Sequence, residues 1–129
     1  PEFIVNGAFA DGSSGWSLSG GAEIAEGVAR LASGSNTDRM TQTVRLQRGK
    51  TYALIVDVAE CGAELQFGVN DYNGRYTKAE QTVSEAGEYT LTFTMAQHMD
   101  NVEVYLQVLR YQGSNEPVVI NAVRLIESA

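Results

Sequence analysis

Apolar and polar residues alternate with a period of two along most of the chain, the mark of strands that bury one face. Tyr52, Leu54, Val56 and Val58 interleave with Ala53, Ile55, Asp57 and Ala59, so one face is wholly apolar and the other mixed, as in a strand inside a sheet. Leu65, Phe67 and Val69 alternate with Gln66, Gly68 and Asn70, and Tyr89, Leu91, Phe93 and Met95 with Thr90, Thr92 and Thr94. Val102, Val104, Leu106 and Val108 alternate in the same way with Glu103, Tyr105, Gln107 and Leu109. Shorter strands are expected at Ile4-Val5, Ala22 to Ala25, Val28 to Ala32 and Met40 to Leu46. Residues 22–32 are the one competitor for a helix, but Gly27 interrupts them and no 3.6-residue stripe appears. The last strand, Val118 to Ile126, keeps Val118 and Ile120 in phase and then shifts to Val123 and Leu125, which predicts a bulge at Asn121-Ala122.

Turn signals punctuate these strands. Tyr72-Asn73-Gly74-Arg75 is the strongest hairpin signal; a type I′ turn there would pair Tyr72 with Arg75 and Asn70 with Thr77. Near the start, Ile4 to Trp16 sets a short apolar strand against the turn dipeptides Asn6-Gly7 and Asp11-Gly12, and Gly15-Trp16 returns the only tryptophan to the core. Phe3 continues the apolar pattern into Ile4, although Glu2-Phe3 also matches a common cloning scar. About ten strands joined by short turns make an all-β fold, a two-sheet antiparallel β-sandwich and most economically a jelly roll. Residues 1–129 are expected to form one domain, because a chain of this length buries about two-thirds of its unfolded surface.

Charge removes whole classes of partner. A net charge of −7 with only two lysines, Lys50 and Lys78, leaves no basic stripe to track a nucleic-acid backbone. Nor does it suit an anionic membrane surface, and the apolar runs are too short for a spanning helix. With a single cysteine, Cys61, there is no intramolecular disulfide and no cysteine-rich zinc site.

Catalytic chemistry is sparse. His98 stands alone in a polar connection, and Ser13-Ser14 lacks the strand-to-helix turn of a nucleophile elbow. The acids Glu23 and Glu26, Glu60 and Glu64, Glu80 and Glu85 fall in turns or at strand ends, where charge keeps loops solvated, rather than facing each other across a cleft. Asn70 to Gly74 lacks the alternating acids and distal glutamate of a calcium loop. No catalytic residue and no cofactor are expected, so the chain reads as a non-enzyme.

The informative polar residues sit opposite the core. A sugar needs flat aromatic surface for its C–H faces, and amides or guanidinium groups for its hydroxyls. Tyr105 and Gln107 share a strand face, with Tyr111 in phase beyond them; Gln66, Asn70 and Tyr72 share another, with Arg75 across the turn. Arg39 and Arg110 are expected to contribute from strand ends.

Beyond the Asn-Gly-x-Phe opening and its Gly15-Trp16, the order of several further segments resembles carbohydrate-binding modules of families 4, 9, 16 and 22. Gln42-Thr43-Val44-Arg45-Leu46 followed by Gly49-Lys50-Thr51-Tyr52 is similar to their "Q-T-V-x-L-x-x-G-x-T-Y" strand pair. Phe67 to Gly74, Tyr89 to Thr94 and Val119 to Leu125 follow in the same order. The resemblance implies a galactose-binding-like jelly roll, non-catalytic, bacterial and secreted, attached to a glycoside hydrolase or related enzyme that it holds near polysaccharide. It also implies that Trp16 packs in the core, leaving stacking to tyrosines. Members carry acids tied to a structural calcium ion where this chain has Ala10 and Asn121, so a weak or absent calcium site is expected, with Asp11 and Asn121 the only side chains to inspect. An open face with few rings should bind with a dissociation constant on the order of 10 μM to 1 mM. Alanine at Tyr105 should then abolish binding at little cost in stability. The alternative is a structural or protein-interaction sandwich domain of a multi-modular cell-surface protein that binds no sugar.

Overall fold

The chain forms ten strands in a computed structural model: β1 (Ser17–Ser19), β2 (Ala22–Ala25), β3 (Val28–Leu31), β4 (Arg39–Leu46), β5 (Thr51–Cys61), β6 (Glu64–Asp71), β7 (Lys78–Val83), β8 (Gly87–Thr94), β9 (Met99–Arg110) and β10 (Val118–Glu127). Eight come from the period-two segments, and two, β1 and β7, were not anticipated from sequence. The structure describes residues 2–31, 38–71, 78–110 and 117–128, with the backbone alone at Asp71, Lys78, Leu109 and Arg110. One sheet runs β1-β4-β9-β6-β7 and the other β2-β3-β10-β5-β8, all neighbours antiparallel. Chain neighbours often lie in different sheets, so closing the sandwich relies on long-range pairing, as a jelly roll requires.

Alternation decides what each sheet buries. Met40, Val44 and Leu46 of β4, Leu65, Phe67 and Val69 of β6, and Val102, Val104, Leu106 and Val108 of β9 face the opposite sheet. From the other side come Leu31, Leu54, Val56, Val58, Ile120, Val123 and Leu125, all buried, and Tyr52 rests on Phe93 with ring centroids 5.8 Å apart. In β10 the expected bulge is present: Ile120 pairs with Val58 and Ala122 with Asp57, which leaves Asn121 unmatched.

Two local expectations need correction. Ile4-Val5 is not a strand, and the first strand is Ser17–Ser19, a Ser-Leu-Ser segment too short to carry a periodic signal. Asn70 pairs with Lys78 rather than Thr77, so the connection is one residue longer than a two-residue turn allows; residues 72–77 themselves lie outside the described residues.

The segment before β1 straps one end of the sandwich instead. Phe3 N–H donates to Leu125 O at 2.9 Å and Val123 N–H to Gly7 O at 2.8 Å, tying it to β10. The buried Gln42 amide on β4 brackets Val5, accepting from its N–H at 2.7 Å and donating to its carbonyl at 2.9 Å. Phe3 meets Tyr52 edge to face at 5.4 Å and Glu2 accepts from Leu125 N–H, so both residues pack into the fold.

Asn6 organises the loop behind this strap. It adopts φ +55°, which asparagine tolerates, and its amide donates to the carbonyls of Gly12 at 2.8 Å and Ser14 at 2.9 Å while accepting from Asp11 N–H. Its own carbonyl receives the Trp16 indole N–H at 3.1 Å. Trp16 therefore packs in the core against Phe9, at 5.9 Å, with its polar edge satisfied. Phe9 holds φ +61°, a strain of about 1–2 kcal/mol that burial of its ring, worth about 1.5–3 kcal/mol, offsets.

Candidate functional site

The outer face of the β1-β4-β9-β6-β7 sheet carries three consecutive rows of hydrogen-bonding residues. Register places Ser19, Arg39, Gln107, Gln66 and Thr82 in one row across the five strands. The next holds Ser17, Thr41, Tyr105, Gly68 and Glu80, and the third Thr43, Glu103, Asn70 and the backbone of Lys78. Strand spacing makes the face about 19 Å across, the reach of a short oligosaccharide. Antiparallel pairing thus converts residues far apart in sequence into one surface, and Tyr105 is the only ring on it among the described residues.

Side chains on this face are held by one another. Gln107 Nε2 donates to Gln66 Oε1 at 2.6 Å, which commits one end of each amide to the pair and not the Gln66 NH2 or the Gln107 carbonyl. Arg39 donates to Glu103 at 2.7 Å and lies over the Tyr105 ring, 5.2 Å from its centroid. The Tyr105 hydroxyl donates to Glu80 Oε2 at 2.5 Å. Burial, and then this carboxylate, push the Tyr105 phenol well above the usual tyrosine range. Among the described residues, two buried atoms, Arg39 Nε and Asn70 Oδ1, find no partner. Such orphans are rare in native proteins, and here one is a donor and one an acceptor.

Of the residues singled out from sequence, Arg39, Gln66, Asn70, Tyr105 and Gln107 share this one face. Tyr72, Arg75 and Tyr111 lie outside the described residues, and Arg110 is placed by its backbone alone, opposite Glu64. Tyr105 departs from expectation: its relative exposure is 3%, so its ring is not open to a ligand, and its removal must cost stability rather than spare it. Glu80 and Glu103 were not anticipated. Glu103 follows from the alternation of its strand, whereas Glu80, expected in a turn or at a strand end, lies inside β7; only the cross-strand register shows that both flank Tyr105.

A calcium ion, implied by the family resemblance, does not fit the residues present. The Gly12 and Ser14 carbonyls already accept from Asn6, and Asn6 Oδ1 is taken by Asp11 N–H. Position 10 offers a methyl group, and Asp11 and Asn121 are both exposed. Among the described residues no cluster of three His, Cys, Asp or Glu side chains is placed to hold a metal. His98 bonds Asp100 at 3.1 Å on the surface, beside the Arg45–Asp100 pair at 2.8 Å.

The architecture is that of jelly-roll carbohydrate-binding modules. No family model matches the chain, and no curated protein does. Similarity appears at the level of solved structures. The second N-terminal cellulose-binding domain of Cellulomonas fimi β-1,4-glucanase C superposes with TM-score 0.63 at 18% identity, over 98% of this chain and 95% of that one. TmCBM61, solved with β-1,4-galactotriose, gives 0.66 at 16% identity over 99% of both chains. The enzymatically active domain of bacteriophage CBA120 tailspike protein 4 gives 0.73 at 14% identity, over 98% of this chain and 21% of that one. At such identities these likenesses establish the fold, and the ligand must be argued from the face itself.

Proposed function

We propose that the chain is a single-domain, non-catalytic carbohydrate-binding module whose ligand is a hydroxyl-rich polysaccharide or oligosaccharide laid on the β1-β4-β9-β6-β7 sheet. One observation carries this reading. The described outward side chains of that sheet form three adjacent polar rows, with the half-committed Gln66–Gln107 pair and the unpartnered Arg39 Nε and Asn70 Oδ1 within them. Sugar hydroxyls both donate and accept, so one ligand satisfies the uncommitted Gln66 NH2 and Gln107 carbonyl alike. The structural likeness to modules described with cellulose-binding and galactotriose-bound forms supports the reading. By the same likeness, the chain would be exported and attached to a glycoside hydrolase, supplying local concentration rather than catalysis.

A second reading, a protein-interaction sandwich with a degenerate sugar face, draws on the burial of Tyr105. A panel of soluble neutral polysaccharides in affinity gels separates the two. Retardation by at least one polymer, with an affinity on the order of 10 μM to 1 mM, is the expected outcome, and silence across the panel favours the interaction domain.

A further inference from the structure

We propose that Tyr105 is a positioning residue of this face and not a stacking ring: its hydroxyl fixes Glu80 and its ring seats Arg39, and those two charged groups grip neighbouring hydroxyls of the glycan. The inference rests on the carbohydrate-binding reading above.

The middle row of the sheet shows how this is built. Tyr105 on β9 stands opposite Gly68 on β6, and Gly68 opposite Glu80 on β7. Because Gly68 has no side chain, the β7 backbone at Ala79 and Glu80 closes against it, which brings Glu80 within reach of Tyr105. The phenol donates to the carboxylate at 2.5 Å, a short charge-assisted bond. On the other side, the guanidinium of Arg39 lies over the same ring and is held by Glu103 at 2.7 Å. One aromatic residue therefore contacts two long side chains and, together with their other partners, narrows the rotamers open to both. Ordering them before the ligand arrives removes an entropic cost from binding. A carboxylate accepts from adjacent hydroxyls and a guanidinium donates to adjacent oxygens, so the class of ligand read is a neutral sugar with vicinal free hydroxyls.

Three variants, measured against a neutral polysaccharide retained by the wild type, test the assignment. Tyr105→Phe keeps the ring and loses the hydroxyl, so a stacking platform would tolerate it, whereas a positioning residue would not. About a tenfold loss of affinity is expected for Tyr105→Phe and for Glu80→Ala. Glu80→Gln, which still accepts the phenol proton but carries no charge, should lose less affinity than Glu80→Ala. Melting temperatures taken alongside separate a binding defect from general destabilisation. Tyr105→Phe binding within about twofold of wild type, at any stability, overturns the positioning role. A wild type that binds no polysaccharide overturns the underlying function as well.

Phenolate absorbance tests the Glu80 contact without sugar. In the wild-type minus Tyr105→Phe difference, the Tyr105 phenol should stay protonated at about pH 11 and titrate lower once Glu80→Ala is introduced. Ionisation of Tyr105 near the ordinary value of about 10 in the folded wild type would contradict the contact.

Discussion

Replacing Gly68 by alanine should damage both the fold and the site, because two strands meet at that residue at backbone distance. A Cβ at position 68 would lie 2.1 Å from the Ala79 carbonyl oxygen, 2.8 Å from the Glu80 Cα and 3.0 Å from the Ala79 carbonyl carbon. None of these atoms is the end of a flexible side chain, so β7 must withdraw by roughly 1 Å or more to reach ordinary contact. Overpacking of this kind costs about 1–3 kcal/mol and each weakened ladder bond about 1 kcal/mol, while alanine recovers about 0.5–1 kcal/mol of backbone entropy. The net is about 2–3 kcal/mol, a fall in Tm of about 10 °C for a domain this size. Gly12→Ala is the control, since that glycine has φ +63° and nothing within 4 Å of the added carbon. It should cost only the left-handed strain of about 1 kcal/mol. Thermal unfolding by circular dichroism reads both variants, and binding at 25 °C should fall about tenfold in Gly68→Ala because Glu80 moves with β7. If Gly68→Ala melts within about 2 °C of Gly12→Ala, the steric reasoning is wrong.

Other consequences are as accessible. Asn6→Ala loses three side-chain hydrogen bonds and adds strain at φ +55°, which should cost about 2–4 kcal/mol; neither wild type nor variant should change Tm by more than about 1 °C between millimolar calcium and chelator, and a calcium-dependent rise of several degrees would show that the loop does hold the ion. The Tyr105 phenol is more basic in the folded state than in the unfolded chain, so its contribution is complete below about pH 10 and is lost as pH rises beyond that value; chemical denaturation at pH 9 and pH 11 should show the fall in wild type and a smaller one in Tyr105→Phe. Burial pushes the Cys61 thiol up, and its proton is donated to the Ala63 carbonyl at 3.1 Å, so modification by an aromatic disulfide at neutral pH should be at least about tenfold slower than in denaturant; equal rates would place the thiolate at the surface.

Period-two alternation revealed the sandwich because it records which face of a strand is buried, and the bulge at Asn121 was legible as a break in that phase. Ser17–Ser19 was not, since three residues are too few to show a period, although Leu18 packs against the core and the strand pairs with β4. The loop order of Asn6 was half visible: Asn-Gly announces a turn, but nothing local says that the asparagine amide will gather two carbonyls eight residues downstream at most. Residues of the candidate face were found by alternation, while their roles depend on register. Tyr105 looks like a stacking ring in sequence, and only its position opposite Gly68, with Glu80 one strand further, shows why it lies covered and bonded. Asp38 is the clearest omission: it is fully buried and accepts from Gly21 N–H at 2.7 Å, a structural acid that no periodic pattern marks.

The claim that this sheet face binds glycan is tested most directly by side-chain amide resonances. The NH2 groups of Gln66, Asn70 and Gln107 lie on the β1-β4-β9-β6-β7 sheet, and Asn121 is exposed at the bulge of the other sheet, so a nitrogen-15 correlation spectrum reports on both. Titration with a retained neutral oligosaccharide should shift the three amides of the polar rows and leave Asn121 unmoved. Shifts at Asn121 with the three unmoved, or no shift with any glycan of the panel, would contradict it.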